Sequence, residues 1–184
     1  MTKDQTGRLI GASFGLFFVQ ANAGALPTRF AAPLRGLAVA AFVALVVFGR
    51  RRATAAPAGE APAGEAPVSR FGRRYWLVVA AEVVALAAGL LVISRVLHAP
   101  HAAVGWIAFV VGVHFFGLAA AWRRPRLHAL GAALTACGAA GLALAAATAS
   151  PAVIATVAGI LPGVLLLASV WRSDRAREAA VVGA

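Results

Sequence analysis

Six apolar stretches, separated by short polar breaks, account for most of the 184 residues. They run over about 9–26, 30–49, 75–97, 101–122, 127–149 and 151–171. Each is close to the roughly 20 residues that a helix needs to cross about 30 Å of hydrocarbon, and the alternation typical of barrel strands is absent. The pattern predicts an all-α polytopic membrane protein with six transmembrane helices. Five is the alternative, because the first stretch contains Gln20 and Asn22 and the fifth is mostly alanine and glycine.

The composition supports the same class of protein. Hydrophobic residues make up 61% of the chain and charged residues 12%, and the mean hydropathy is +0.85. A soluble domain carries about a quarter of charged residues. The net charge is +11, and a strongly basic chain can indicate nucleic-acid binding. In such proteins the basic residues lie along one face beside aromatic residues, whereas here they lie at the ends of apolar stretches. We therefore expect the lipid bilayer, and no nucleic acid, as a partner.

The basic residues are distributed very unevenly between the two sides of the predicted membrane. Only Arg29, Arg35 and Arg95 fall on one side, and the other fourteen of the 17 Lys and Arg residues fall on the other. The positive-inside rule then predicts a protein of the cell membrane with both termini in the cytoplasm. The N-terminus also resembles a cleavable signal, because the apolar run of 9–19 is followed by Ala21-Asn22-Ala23. An uncleaved first helix is the favoured interpretation, since the chain crosses the membrane repeatedly.

The breaks divide the chain into three predicted parts. Residues 1–52 form a transmembrane hairpin that turns at Pro27, and 71–184 form a four-helix transmembrane bundle with a short basic tail. Between them, 53–70 contains the sequence APAGE twice in succession, at 56–60 and 61–65. Such a Pro/Ala/Gly segment buries too little apolar surface to offset the entropy of ordering it, so we expect a disordered cytoplasmic linker.

Glycines at helical spacing indicate how the helices pack. Gly11 and Gly15 form a GxxxG motif in the first stretch, and Gly159 and Gly163 form another in the sixth. In lipid, small residues allow two helix backbones to approach closely. The favoured interpretation is packing within one chain, and the alternative is a homo-oligomer through Gly11/Gly15 or Gly159/Gly163.

The intramembrane polar residues carry most of the functional information. Glu82 is the only acidic residue inside an apolar stretch, and an unpaired carboxylate is costly there. Glu82 lies seven residues after Tyr75, roughly 10 Å deep, and His114 lies eight residues before Trp122, roughly 12 Å deep. We therefore expect Glu82 and His114 to meet across an antiparallel hairpin and to act as a proton-binding or substrate-facing pair. A structural hydrogen bond that fixes the hairpin is an equally weighted alternative.

A second group of polar residues, Gln20, Asn22 and Arg35, lies near the turn at Pro27. Arg35 has two alternatives, a hydrogen bond to Gln20 or Asn22 and an outward, snorkelling side chain, of which snorkelling is favoured. His98 and His101 flank another turn, but two histidines are too few for an ordinary zinc site. The lone Cys137 has no partner for a disulfide. No metal and no cofactor is predicted.

Two family resemblances rest on the same residues. Tyr75-Trp76, Glu82 and the run Gly112-Val113-His114-Phe115-Phe116 resemble a pattern in small bacterial multi-spanning membrane proteins, which implies no function. A single intramembrane glutamate, Glu82, in a four-span unit is also similar to the small multidrug resistance exporters. That resemblance implies exchange of protons for cationic compounds at Glu82. The chain departs from that family in its additional hairpin, in His114 and in its one-sided charge distribution.

These observations favour a proton-linked transporter of a small lipophilic or cationic compound. The first alternative is a membrane-embedded enzyme that acts on a lipid or isoprenoid, with Glu82 and His114 as acid and base. The second is a non-catalytic accessory or immunity-type subunit. No Walker A, HExxH or GxSxG motif is present in the sequence, so whether the protein is an enzyme stays open here.

Overall fold

The computed structural model describes residues 3–55 and 72–182, and within these ranges the chain is helical and contains no β-strand. The α-helices of these ranges are α1 Lys3–Asn22, α2 Thr28–Ala55, α3 Arg73–Leu91, α4 Ala102–Trp122, α5 Arg126–Ala146, α6 Pro151–Ala155 and α7 Leu161–Val182. A 3-10 turn, Ala23–Ala25, follows α1. One π-helical turn extends α3 over Val92–Val96, and another joins α6 to α7 over Thr156–Ile160. The predicted all-α class is confirmed.

Five helical segments of the described residues are long and apolar enough to cross a membrane. They are Thr28–Gly49, Tyr75–Val96, Ala102–Trp122, Arg126–Ala146 and Pro151–Arg172. The first predicted span is helical as α1 but is not among them. Arg8 near its start and Gln20 and Asn22 near its end lower its mean hydropathy. The residues that the structure describes thus form an all-α polytopic membrane protein with five apolar spans and a more polar first helix.

The predicted linker overlaps the end of α2. This helix continues to Ala55, so the first three residues of the 53–70 segment are helical, and 56–70 lie outside the described residues. The turns between the later helices are short, as expected for antiparallel neighbours. Each contains a non-glycine residue with positive φ: His98 at 48°, Arg123 at 52° and Thr148 at 54°.

The first and last helices pack directly against each other, so the N-terminal hairpin is joined to the C-terminal part of the fold. A Cβ atom on Gly15 would come within 2.9 Å of the Gly163 carbonyl oxygen, and one on Gly163 would come within 2.7 Å of the Gly15 carbonyl oxygen. Gly15 and Gly163 therefore pack against each other within one chain, as the favoured interpretation of the two motifs expects. A homo-oligomer through the same glycines would need this contact to open.

The closest pair of helices is α4 and α5. A Cβ atom on Gly138 of α5 would lie 2.2 Å from the Phe109 nitrogen, and one on Gly105 of α4 would lie 2.8 Å from the Leu142 nitrogen. The two backbones are therefore in contact where a side chain would otherwise separate them, as small residues permit in lipid. Buried residues of α1, α4, α5 and α7 meet beside this pair; they are Phe18, Ala108, Val111, Leu134 and Leu166.

The sixth span is one rod made of α6, the π-helical turn and α7. Pro162 is fully buried at the start of α7, and its ring cannot tolerate a regular α-helical carbonyl four residues earlier. The π-helical turn Thr156–Ile160 immediately precedes it and widens the backbone at that point. The sixth span therefore accommodates Pro162 through a π-bulge.

Helix α3 lies at the edge of the bundle and packs mainly on α4. Its other faces carry large apolar side chains that are more than half exposed, such as Leu77, Val83, Val84 and Leu91. In a membrane protein such an apolar surface faces the acyl chains. The position of α3 in the bundle therefore depends on the contacts along the face that packs on α4.

Candidate functional site

The candidate site lies in the interface between α3 and α4, which we call the α3–α4 seam. The α3 residues that enter it recur every three or four positions, which places them on one helical face. From one end to the other, the contacts are Tyr75 with Trp122, Val78 with Gly117, Glu82 with His114, and Ala85 and Gly89 with Trp106. The seam therefore has one polar pair with apolar and aromatic contacts on both sides.

Glu82 and His114 meet at the middle of the seam. The His114 Nδ1 atom lies 3.0 Å from the Glu82 Oε2 atom, and the two side chains are only 13% and 19% exposed, respectively. The predicted contact between these residues is confirmed. The two residues lie at the same level because α3 is a regular α-helix from Tyr75 to Glu82 and α4 is regular from His114 to Trp122.

The contact is short, but it is not a well-directed hydrogen bond. The buried Nδ1 atom of His114 has no partner in hydrogen-bonding geometry among the described residues, although Oε2 is within reach. A hydrogen bond weakens steeply as the N–H and the acceptor move out of line. The carboxylate and the imidazole are therefore in close polar contact without an aligned hydrogen bond.

Trp106 closes the seam on the side of Glu82 that is farther from Tyr75. Its Nε1 atom donates a hydrogen bond of 3.2 Å to the Ala85 carbonyl oxygen, and its ring occupies the space in which a Cβ on Gly89 would stand. A tryptophan near the end of a span is typical of an interfacial anchor, but Trp106 packs between α3 and α4. The sequence contains one indication of this contact. Gly89 lies seven residues after Glu82 on the same helical face, and a glycine there leaves room for a large side chain from the neighbouring helix.

At the opposite end, aromatic rings close the seam. The rings of Tyr75 and Trp122 stack with their centroids 6.1 Å apart and their planes 11° from parallel. Trp76 contacts Tyr75 edge to face at 5.5 Å and is 62% exposed. Tyr75 and Trp122 thus shield the polar pair from the nearer membrane surface, while Trp76 keeps the exposed position of an interfacial residue.

The second polar group, Gln20, Asn22 and Arg35, does not form one cluster in the structure. The Gln20 Nε2 atom donates to the Arg35 carbonyl oxygen at 3.1 Å, and the Arg35 Nη2 atom donates to the Gln20 carbonyl oxygen at 3.4 Å. The hydrogen-bonded alternative for Arg35 is therefore present, although snorkelling was favoured. These reciprocal bonds join α1 to α2, because each side chain reaches the main chain of the other helix.

Asn22 does not take part in that group. Its Nδ2 atom donates to the Phe18 carbonyl oxygen of its own helix at 2.8 Å, and its side chain fills the space beside Gly159. Asn22 therefore packs against the π-helical turn of the sixth span. Glycine at 159 is needed because a Cβ there would overlap the Asn22 side chain.

The remaining polar residues include no candidate metal site among the side chains that the structure describes. No three His, Cys, Asp or Glu residues among those described come together as a metal site would require. The His98 Nδ1 atom lies 3.3 Å from the Val96 carbonyl oxygen, a local contact within its own turn. Glu82 and His114 are thus the pair to which the structure directs functional interpretation.

Comparison with models of protein families, with curated proteins and with solved structures finds no match to this chain.

Proposed function

We propose that this integral membrane protein transports a small lipophilic or cationic compound in exchange for protons, with Glu82 and His114 as the proton-binding pair. The supporting observation is the 3.0 Å approach of His114 Nδ1 to Glu82 Oε2 inside two apolar spans. A carboxylate and an imidazole in contact take up and release a proton as a coupled unit. When the proton leaves, the carboxylate can bind a cation in its place.

The position of α3 supports access to this pair from the bilayer. Because α3 packs mainly on α4, it can move away from α4 without separating the other helices. A lipophilic compound dissolved in the acyl chains would then reach Glu82 through the seam. Two clefts are open in the structure, and neither is lined by Glu82 or His114. The proposal therefore requires that α3 moves away from α4 to open the seam.

The experiment is proton flux in proteoliposomes that contain a pH-sensitive dye. We expect an inward gradient of a lipophilic cation, tetraphenylphosphonium, to drive proton efflux through the wild-type protein. Glu82→Gln preserves the volume of the side chain but removes the titrating group, so we expect flux at the level of protein-free vesicles, a loss of about tenfold or more.

Glu60→Gln is the matched control, because it makes the same chemical change in the 53–70 segment outside the spans. We expect it to keep the wild-type flux. A Glu82→Gln protein that keeps pH-responsive flux, or a wild-type protein that moves no protons, would overturn the proposal.

A second candidate is an accessory protein that acts through helix packing, and the tight fit of the seam supports it. Val78 fills the space beside Gly117, and Trp106 fills the space beside Gly89. In this candidate, the Glu82–His114 contact contributes to the recognition of α3 by α4 and carries no proton.

The orientation of the chain follows from the same charge distribution and forms part of the proposal. We expect both termini and the 53–70 segment to be cytoplasmic in the cell membrane, because fourteen of 17 basic residues then lie inside. In a Cys137→Ala background, an impermeant thiol reagent added outside should modify a cysteine placed at Thr28 or Ala99 and spare one at Ala58. Labelling at Ala58 alone would reverse the orientation.

A further inference from the structure

We propose that an anionic phospholipid binds in a lateral groove between α2 and α7, with an acyl chain in the groove and its phosphate at Arg172. This groove, which we call the α2–α7 groove, has a volume of about 350 Å³. That volume is within the range of small-molecule sites, at about 300–1,000 Å³. The site is distinct from the α3–α4 seam, because none of its lining residues belongs to α3 or α4.

The walls of the groove suit an acyl chain. Leu34 and Leu37 of α2 form one wall, Val164 and Leu167 of α7 form the other, and the buried Val19 of α1 forms the floor. All five are aliphatic. From Val164 to Arg172, α7 rises by about 12 Å. Since both helices are apolar spans, the groove opens into the hydrocarbon region, where acyl chains are the molecules present.

One end of the groove is basic and aromatic. Trp171 and the exposed Arg172 line this end, and the Phe48 ring contacts Trp171 edge to face at 6.4 Å. The Nη2 atom of Arg8 in α1 lies 3.8 Å from the position of a Cβ on Gly49, the residue that follows Phe48. An aromatic ring at the level of the headgroups and a guanidinium beyond it are the groups that hold a phosphate above an acyl chain.

The apolar walls of the groove and its basic end together determine which class of ligand fits. Arg172 attracts an anion and repels a cation, and the apolar walls favour a molecule with a long hydrocarbon chain. The ligand is therefore a phospholipid with net negative charge, taken from the leaflet at the Arg172 end. A zwitterionic lipid would fill the same walls but would gain less from the guanidinium.

The test is native mass spectrometry of the full chain, titrated in detergent with phosphatidylglycerol or with phosphatidylcholine of identical acyl chains. We expect the wild-type protein to retain phosphatidylglycerol preferentially. Arg172→Gln should reduce the ratio of the two bound lipids about fivefold, as expected for one arginine near the headgroup. Ala41→Leu, which places a larger side chain into the groove, should reduce the binding of both lipids.

Two variants serve as matched controls. Ala40→Leu makes the same change at the neighbouring exposed position, and Arg95→Gln removes an exposed arginine in the π-helical turn that extends α3. We expect both to bind lipid as the wild type does. Circular dichroism of each variant establishes that it is folded. No preference in the wild type, an unchanged ratio in Arg172→Gln, or equal losses in Ala41→Leu and Ala40→Leu would each overturn the proposal. Displacement of the lipid by glycerol phosphate alone would also overturn it, because the walls would then contribute nothing.

Discussion

Replacement of Gly138 by alanine should lower the free energy of unfolding by about 3 kcal/mol, at the upper end of the usual cost of overpacking. The added methyl group would lie 2.2 Å from the Phe109 nitrogen and 2.5 Å from its Cα atom. Both are backbone atoms of α4, so no side-chain rotation relieves the clash. The two helices must separate, and the contacts made along both of them weaken together. Unfolding by SDS titration, followed by circular dichroism, measures the change.

Gly36→Ala is the matched control for this variant. Gly36 lies inside α2, is exposed, and has no atom within 4 Å of the position of its Cβ. The same methyl group there should be neutral or should stabilise the helix by up to about 1 kcal/mol, because alanine has the higher helix propensity. If Gly138→Ala were as stable as Gly36→Ala, the close approach of α4 and α5 would be wrong.

Glu82→Leu should lower the free energy of unfolding by about 1–3 kcal/mol, because it leaves the largely buried His114 ring without its polar neighbour. The double variant Glu82→Leu/His114→Phe replaces the pair by two apolar groups and should recover most of that loss. SDS titration of the wild type, the two single variants and the double variant gives the coupling energy directly.

This cycle separates the structural contribution of the pair from its proton chemistry. Glu82→Gln retains a polar partner for His114, so we expect its stability to be close to that of the wild type. A proton-binding role then appears as a loss of flux without a loss of stability. If Glu82→Leu were as stable as the wild type and its cycle with His114→Phe gave no coupling energy, the two side chains would not interact in the membrane.

The sequence was sufficient to predict the Glu82–His114 contact because the level of each residue depends only on local helix geometry. A short turn makes α3 and α4 antiparallel neighbours, and a fixed rise per residue converts position along each helix into depth. Glu82 and His114 then fall at one level, and the structure brings their polar atoms to 3.0 Å. Depth does not determine the direction of a side chain. The poor alignment of the contact therefore depends on how α3 is rotated against α4.

Trp106 and Asn22 show where such local reasoning fails. A tryptophan near the end of a span is usually an interfacial anchor, yet the Trp106 ring fills the space beside Gly89, because α3 is close enough to cover it. Asn22 was grouped with Arg35 by depth alone, but it packs beside Gly159, because the sixth span lies against the end of α1. Both outcomes depend on which helices are neighbours in space.

The sequence by itself determined the class of the protein, the approximate limits of its five apolar spans and the common level of Glu82 and His114. Hydrophobicity, charge placement and helical rise are properties of single segments, so no tertiary contact is needed to apply them. Only the tertiary structure decided that α1 packs on α7 and that α3 lies at the edge. In lipid, a helix gains little by burying one apolar face instead of another, so its neighbours are selected by close fit between helices, such as Gly15 against Gly163. That fit depends on the shapes of both surfaces at once, and no single segment of the sequence contains it.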